Sequence, residues 1–199
     1  MARQLDQAGN LIEFIRQPLY DQVTITTTGT EFRYFAIPQG QSDGSETKTP
    51  WHTNGLGAGL LPVPKSHLVD GFRLVVDGNQ TSANQLTTYR QLMFNKVWCR
   101  FEIGGLKDYL KVPFWYIPAG VGIPGFSDAG GLTGATVMTQ VTNGAPVHGN
   151  YFGIRTHPIL IPSQQTFAFV IKADAALSSL GGSRRVWTML EGVNGRETM

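Results

Sequence analysis

Charge is scarce in this chain: Asp, Glu, Lys and Arg make up 15% of its 199 residues, against roughly 25% in an ordinary soluble domain. The scarcity has a centre, because from Val112 to Ile154 the only formal charge is Asp128, while glycine and proline recur throughout. A long loop-like stretch with so few ions is unusual in a protein surrounded by water, and charge depletion is the compositional mark of surface that ends against another protein. Cysteine is nearly absent as well. Cys99 alone excludes an intrachain disulfide and a CxxC metal site, and its place in an alternating apolar segment reads as a small core residue. No run approaches the roughly 18 apolar residues of a membrane helix, and the first ten residues hold no hydrophobic signal core, so residence in a cytoplasm is the expectation.

Excess charge of one sign is missing too. Sixteen basic residues stand against fourteen acidic ones, for a net charge of +2. The only adjacent basic pair, Arg184-Arg185, reads as a solvated strand entrance, so direct nucleic-acid binding is not expected.

Catalytic and cofactor motifs fail one by one. Gly120-Val-Gly-Ile-Pro-Gly125 has the letters of a dinucleotide loop, but Pro118, Pro124 and the glycines that follow give no helix N-terminus to meet a pyrophosphate. Gly55 to Gly59 lacks the Lys-Ser or Lys-Thr of a phosphate-binding loop. His52, His67, His148 and His157 form no His-x-His pair and read as ordinary loop or interface residues. There is no GxSxG or HExxH. The chain is therefore expected to be no enzyme, with no catalytic or metal-ligating residue, no cofactor and no small-molecule substrate.

What the chain does have is period two. Val97, Cys99, Phe101 and Ile103 alternate with Trp98, Arg100 and Glu102. Past the Gly104-Gly105 turn, Leu106, Leu110 and Val112 alternate with Lys107, Tyr109 and Lys111. This predicts an antiparallel hairpin over residues 97 to 112, with Asp108 out of place on the inward phase. Strand signals also cover Val23 to Thr28, Phe32 to Ile37, Phe72 to Val76, Tyr151 to Thr156, Phe167 to Ile171 and Val186 to Leu190. About eight antiparallel strands joined by long Pro- and Gly-rich connections predict an all-β sandwich of Greek-key type. One short helix is expected near residues 82–95, where Ser82 and Gln85 have capping-box spacing and Leu86, Tyr89, Leu92 and Met93 share a face. Residues 1–20 read as an N-terminal extended arm that either adds an outer strand or reaches a neighbour, with residues 21–199 as the single domain.

Three pieces of this pattern resemble the single jelly-roll capsid proteins of tailless icosahedral bacteriophages. They are the hairpin Phe101 to Leu110, its continuation Val112-Pro-Phe-Trp-Tyr-Ile-Pro-Ala-Gly-Val-Gly122, and the closing strand Val186 to Arg196. The likeness loosely covers residues 66–196. It implies a jelly-roll β-sandwich of two four-stranded sheets that assembles into a virion shell. Its partners would be copies of itself and other virion proteins, and it would be made in a host cytoplasm. Under that reading the interface candidates are Leu11, Ile12, Phe14 and Ile15 in the arm, Phe114, Trp115 and Tyr116 after the hairpin, and Phe126 in the uncharged stretch. The alternative is a carbohydrate-binding sandwich, lectin-like or receptor-binding, with Trp115 and Tyr116 as the stacking platform.

Overall fold

The structure, a computed structural model, describes residues 2–5, 11–76, 92, 96–105, 107–117, 151–178 and 183–197. Among these residues eleven strands form two antiparallel sheets packed as a β-sandwich. The first sheet holds β1 (Ala2–Leu5), β2 (Leu11–Arg16), β3 (Leu19–Ile25), β5 (Ser66–Val76), β8 (Phe152–Gly153), β9 (Ile159–Ile161) and β11 (Arg184–Glu197). The second runs in the order β4 (Glu31–Arg33), β10 (Phe167–Ala173), β6 (Val97–Ile103), β7 (Lys107–Pro113).

Two of the first sheet's strand positions are interrupted. β2 and β3 lie end to end along β11, opposite residues 193–197 and 184–190. They are separated at Gln17-Pro18, where proline has no N–H to give the ladder. β8 and β9 lie end to end along β5 in the same way. Counting each of these pairs once leaves nine positions, of which β1 is added outside β2 and the other eight pair in nested order. The first pairs with the last (β2–β3 with β11), the second with the seventh (β4 with β10), the third with the sixth (β5 with β8–β9) and the fourth with the fifth (β6 with β7). That is the pairing order of one long hairpin rolled up, in which every connection between these eight positions crosses from sheet to sheet except the β6–β7 turn.

The core lies between the sheets and is built on rings. Phe72 of β5 packs edge-on to Phe101 of β6 at 5.4 Å and beside Phe169 of β10 at 6.1 Å, all three fully buried. Cys99 is buried with them, and burial pushes its thiol well above the ordinary value. The expected hairpin forms, with Gly104 and Gly105 both at positive φ, 71° and 70°, which a non-glycine residue resists. A bulge resolves the misplaced Asp108. Leu110 stands opposite Phe101 but Asp108 stands opposite Glu102, so Tyr109 is the extra residue and Asp108 moves to the outward phase.

Several expected boundaries move. The strand predicted to reach Ile37 ends at Arg33, because Phe35 adopts φ 66° and turns the chain inward with Tyr34 and Phe35 both buried. β5 starts at Ser66, earlier than its Phe72 signal, because a bulge beside Glu191 and Gly192 makes Asp70 the extra residue and reverses the inward phase. The Tyr151 to Thr156 signal shrinks to β8, and β9, only three residues long, gave no signal of its own. Residues 11–16 serve as an outer strand on β11, and the arm boundary placed at residue 20 falls inside β3. Of the helix expected near 82–95 only Leu92, buried in the core, lies among the described residues.

Candidate interaction surfaces

Register places a cluster of side chains on the outer face of the first sheet. Trp187 of β11 stands between Gln22 of β3 and Val75 of β5, and Met189 between Tyr20 and Arg73. The loop at Pro50 and Trp51 folds over this end. Trp51 meets Trp187 edge-on at 6.0 Å and is 70% exposed, and the Tyr20 hydroxyl donates to the Pro50 carbonyl. Tyr20, Pro50, Trp51, Val75, Trp187 and Met189 thus line an apolar cleft of about 340 Å³.

Farther along the same face the sheet turns ionic. Arg73 and Glu191 form a buried pair at 2.7 Å, and Arg16 reaches Asp70 at 3.0 Å. The Tyr151 ring lies over Gly71, where a Cβ would collide with it, and Arg73 stacks on that ring at 5.1 Å. Beyond the ions the face is apolar again, with exposed Leu68 and Leu160 paired across β5 and β9. The exposed apolar side chains at the two ends of this face, Trp51 at one and Leu68 with Leu160 at the other, are surface that a partner can cover, while the ion pair between them is already buried within the subunit.

The outer face of the second sheet is different in kind. Arg33 pairs with Glu102, Arg100 bridges Glu102 at 3.3 Å and Glu31 at 3.8 Å, and Lys172 reaches Glu31 at 3.4 Å. Lys111 covers the Trp98 ring at 4.7 Å. These charges satisfy one another and shield Val170 beneath them.

The residues singled out from sequence part company here. Trp115 and Tyr116 are 51% and 49% exposed on a short 3₁₀ turn after β7, their rings perpendicular at 5.9 Å, with Tyr116 resting on Phe152 at 5.1 Å. Phe114, expected at an interface, is fully buried in the subunit's own core; on the same turn it takes the inward position and its neighbours the outward ones. Phe14 and Ile15 are half-buried, and Ile15 lines a cleft with Leu19, Phe35, Leu60 and Phe167. The side chains of Leu11 and Ile12, and the whole of Phe126, lie outside the described residues.

Polar groups missed by sequence reasoning sit inside the sandwich. Lys48, from the long loop after β4, is buried with its Nζ 3.0 Å from Asp21 Oδ1 and donates also to the Gln22 carbonyl. Asp21 Oδ2 accepts from the Phe35 N–H at 2.6 Å. Burial holds the Asp21 carboxyl above its ordinary value, against the pull of Lys48. A loop lysine in a polar stretch carries no signal that it will turn inward. His67 belongs to β5 and is fully buried, not a loop or surface histidine. Arg184 at the start of β11 is buried, while Arg185 is exposed and meets Glu46 at 3.3 Å. Among the described residues no group of three or more His, Cys, Asp or Glu is placed to hold a metal ion. Comparison with protein-family models, with curated proteins and with solved structures found no match.

Proposed function

We propose that this chain is a structural virion protein, a jelly-roll shell subunit that assembles with copies of itself and other virion proteins and acts on no small molecule. The observation that carries the proposal is the outer face of the first sheet, where Trp51, Leu68 and Leu160 stand exposed around a desolvated Arg73–Glu191 pair. The rolled-hairpin pairing order supports the jelly-roll reading, an architecture that capsid and lectin domains share.

Among the described residues two of the sheet edges carry guards against strand addition: β7 presents Lys107, Lys111 and Pro113 along its outer edge, and β9 is bracketed by Pro158 and Pro162. Lysine and proline are the usual guards against edge pairing. The contact residues in this reading are Trp51, Leu68, Leu160, Trp115 and Tyr116. Interfaces of obligate assemblies commonly bury about 2,000 Å² or more, so many weak contacts suffice.

The test is electron microscopy of the purified chain across salt and pH. Closed particles or regular arrays of one subunit type support the proposal. Saturable binding on a glycan array, weakened by Trp115→Ala and unaccompanied by assembly, would replace it with the carbohydrate-binding reading.

A further inference from the structure

One exposed apolar group of this chain is built as a projection. The Lys65 N–H donates to the Pro62 carbonyl at 2.7 Å and closes a tight turn, Pro62-Val63-Pro64-Lys65. All of it is exposed, Val63 at 60%. The base is fixed, because Leu61 is buried in the core and its carbonyl accepts the Gln164 N–H at 3.0 Å. The tip has few groups that need water. Pro62 and Pro64 have no N–H, and the Pro62 carbonyl and the Lys65 N–H bind each other.

The cleft beside Trp51 is the matching recess. The Tyr20 hydroxyl donates to the Pro50 carbonyl and Trp187 Nε1 donates to the Trp51 carbonyl at 3.4 Å, so both polar groups are spent on the loop that forms one wall. Val75, Met189 and ring carbons make the rest of the lining. An occupant of so apolar a recess must bring carbon and few N–H or O–H groups that would lose their water. Trp115 and Tyr116 would carry in an N–H and an O–H, and Leu68 and Leu160 lie on paired strands that project no knob. Val63 between two prolines meets the requirement, and aromatic-lined grooves commonly hold proline-rich segments.

A single copy cannot make this contact with itself. The turn precedes Ser66 at one end of β5, and the cleft includes Val75 at the other end, about 30 Å away at roughly 3.3 Å per residue. We propose that the Pro62–Lys65 turn of one copy seats Val63 in the Trp51–Trp187 cleft of the next, as a head-to-tail joint between subunits. The joint rests on the shell reading and names a contact through which copies add. Because the two surfaces differ, each joined pair still presents a free turn at one end and a free cleft at the other, and the contact repeats into a ring or an array.

Two measurements on the full chain test the joint. Val63→Asp would bury a carboxylate in the cleft. It should raise the concentration needed for assembly, read by light scattering, at least about tenfold. Its urea midpoint should stay at the wild-type value, since the site is exposed. For the second, Lys65→Cys beside the turn and Thr49→Cys beside Pro50 mark the two sides, and the native Cys99 is buried away from reagent. Under assembly conditions a short bismaleimide should link an equal mixture of these variants into a two-chain band on a denaturing gel. Either variant alone should give no such band, and adding Val63→Asp to Lys65→Cys should remove it from the mixture. A wild type that assembles while Val63→Asp assembles equally well, or while the mixture gives no linked pair, would overturn the joint and leave the shell reading standing; the cleft would then take another partner or none. A band from Lys65→Cys alone would also overturn it, because like ends would then be meeting. A wild type that stays a single subunit throughout would overturn the joint and the shell reading together.

Discussion

Replacing Lys48 by methionine removes a buried cation and leaves its partner behind. Lys48 and Asp21 have side chains only 2% and 1% exposed. In the variant the carboxylate keeps the Phe35 N–H at 2.6 Å but loses the ammonium at 3.0 Å. Breaking a buried pair from one side costs about 3–5 kcal/mol, a large share of the roughly 5–15 kcal/mol that holds a domain folded. The penalty should depend on pH, and its sign follows from linkage. Burial already holds the Asp21 carboxyl above its ordinary 3.8, and Lys48 is the strongest group opposing that shift. Without Lys48 the folded value rises further. Between the unfolded value and the raised folded one the native state binds the extra proton, so stability falls as pH rises through that window. The loss should be smallest near pH 4 and reach its full size above the folded value. Urea unfolding of wild type and Lys48→Met at pH 4, 5, 6 and 7 measures it. Adding Asp21→Asn should restore much of the loss, because the amide oxygen still accepts from Phe35. A penalty under about 1 kcal/mol, or one equal at all four pH values, would refute the buried-pair account.

Three further outcomes are expected. Tyr34→Phe should raise stability by about 1 kcal/mol in urea unfolding, because the buried Tyr34 hydroxyl has no hydrogen-bond partner among the described residues. Gly192→Ala should lower stability by about 3 kcal/mol, a melting-temperature drop of roughly 6–12 °C, because a Cβ at the bulge would collide with the Leu68 carbonyl oxygen. Trp51→Ala should leave unfolding of the free subunit within about 1 kcal/mol of wild type, since the ring is mostly exposed, yet raise the concentration needed for assembly at least about tenfold by light scattering.

The sandwich was legible wherever alternation ran unbroken. Val97, Cys99, Phe101 and Ile103 face the core as their alternation requires, and Phe167 to Ile171, a continuous run of apolar residues, is buried throughout. It was hidden wherever a bulge reversed the phase. Asp70 does this in β5, so His67 and Val69 point inward on the opposite phase from Phe72 and Leu74, and the first half of the strand lost its signal. Tyr109 does it in β7, which made Asp108 look misplaced. Short strands bracketed by proline, such as β9, carry too few residues to show a period. The surface was less legible than the core. Exposed Trp115 and Tyr116 were visible from their setting between prolines, whereas Phe114 in the same run belongs inside, a difference set by the 3₁₀ turn. The Trp51–Trp187 contact joins residues far apart in the chain through strand register, and no local pattern announces it.

Self-association of the full chain is the central claim, and sedimentation velocity over a hundredfold range of concentration measures it most directly. The shell reading predicts that mass moves from a 21.8 kDa species into a large species of defined size as concentration rises, and that Trp51→Ala shifts this transition upward. A single 21.8 kDa species at every concentration, salt and pH would contradict it.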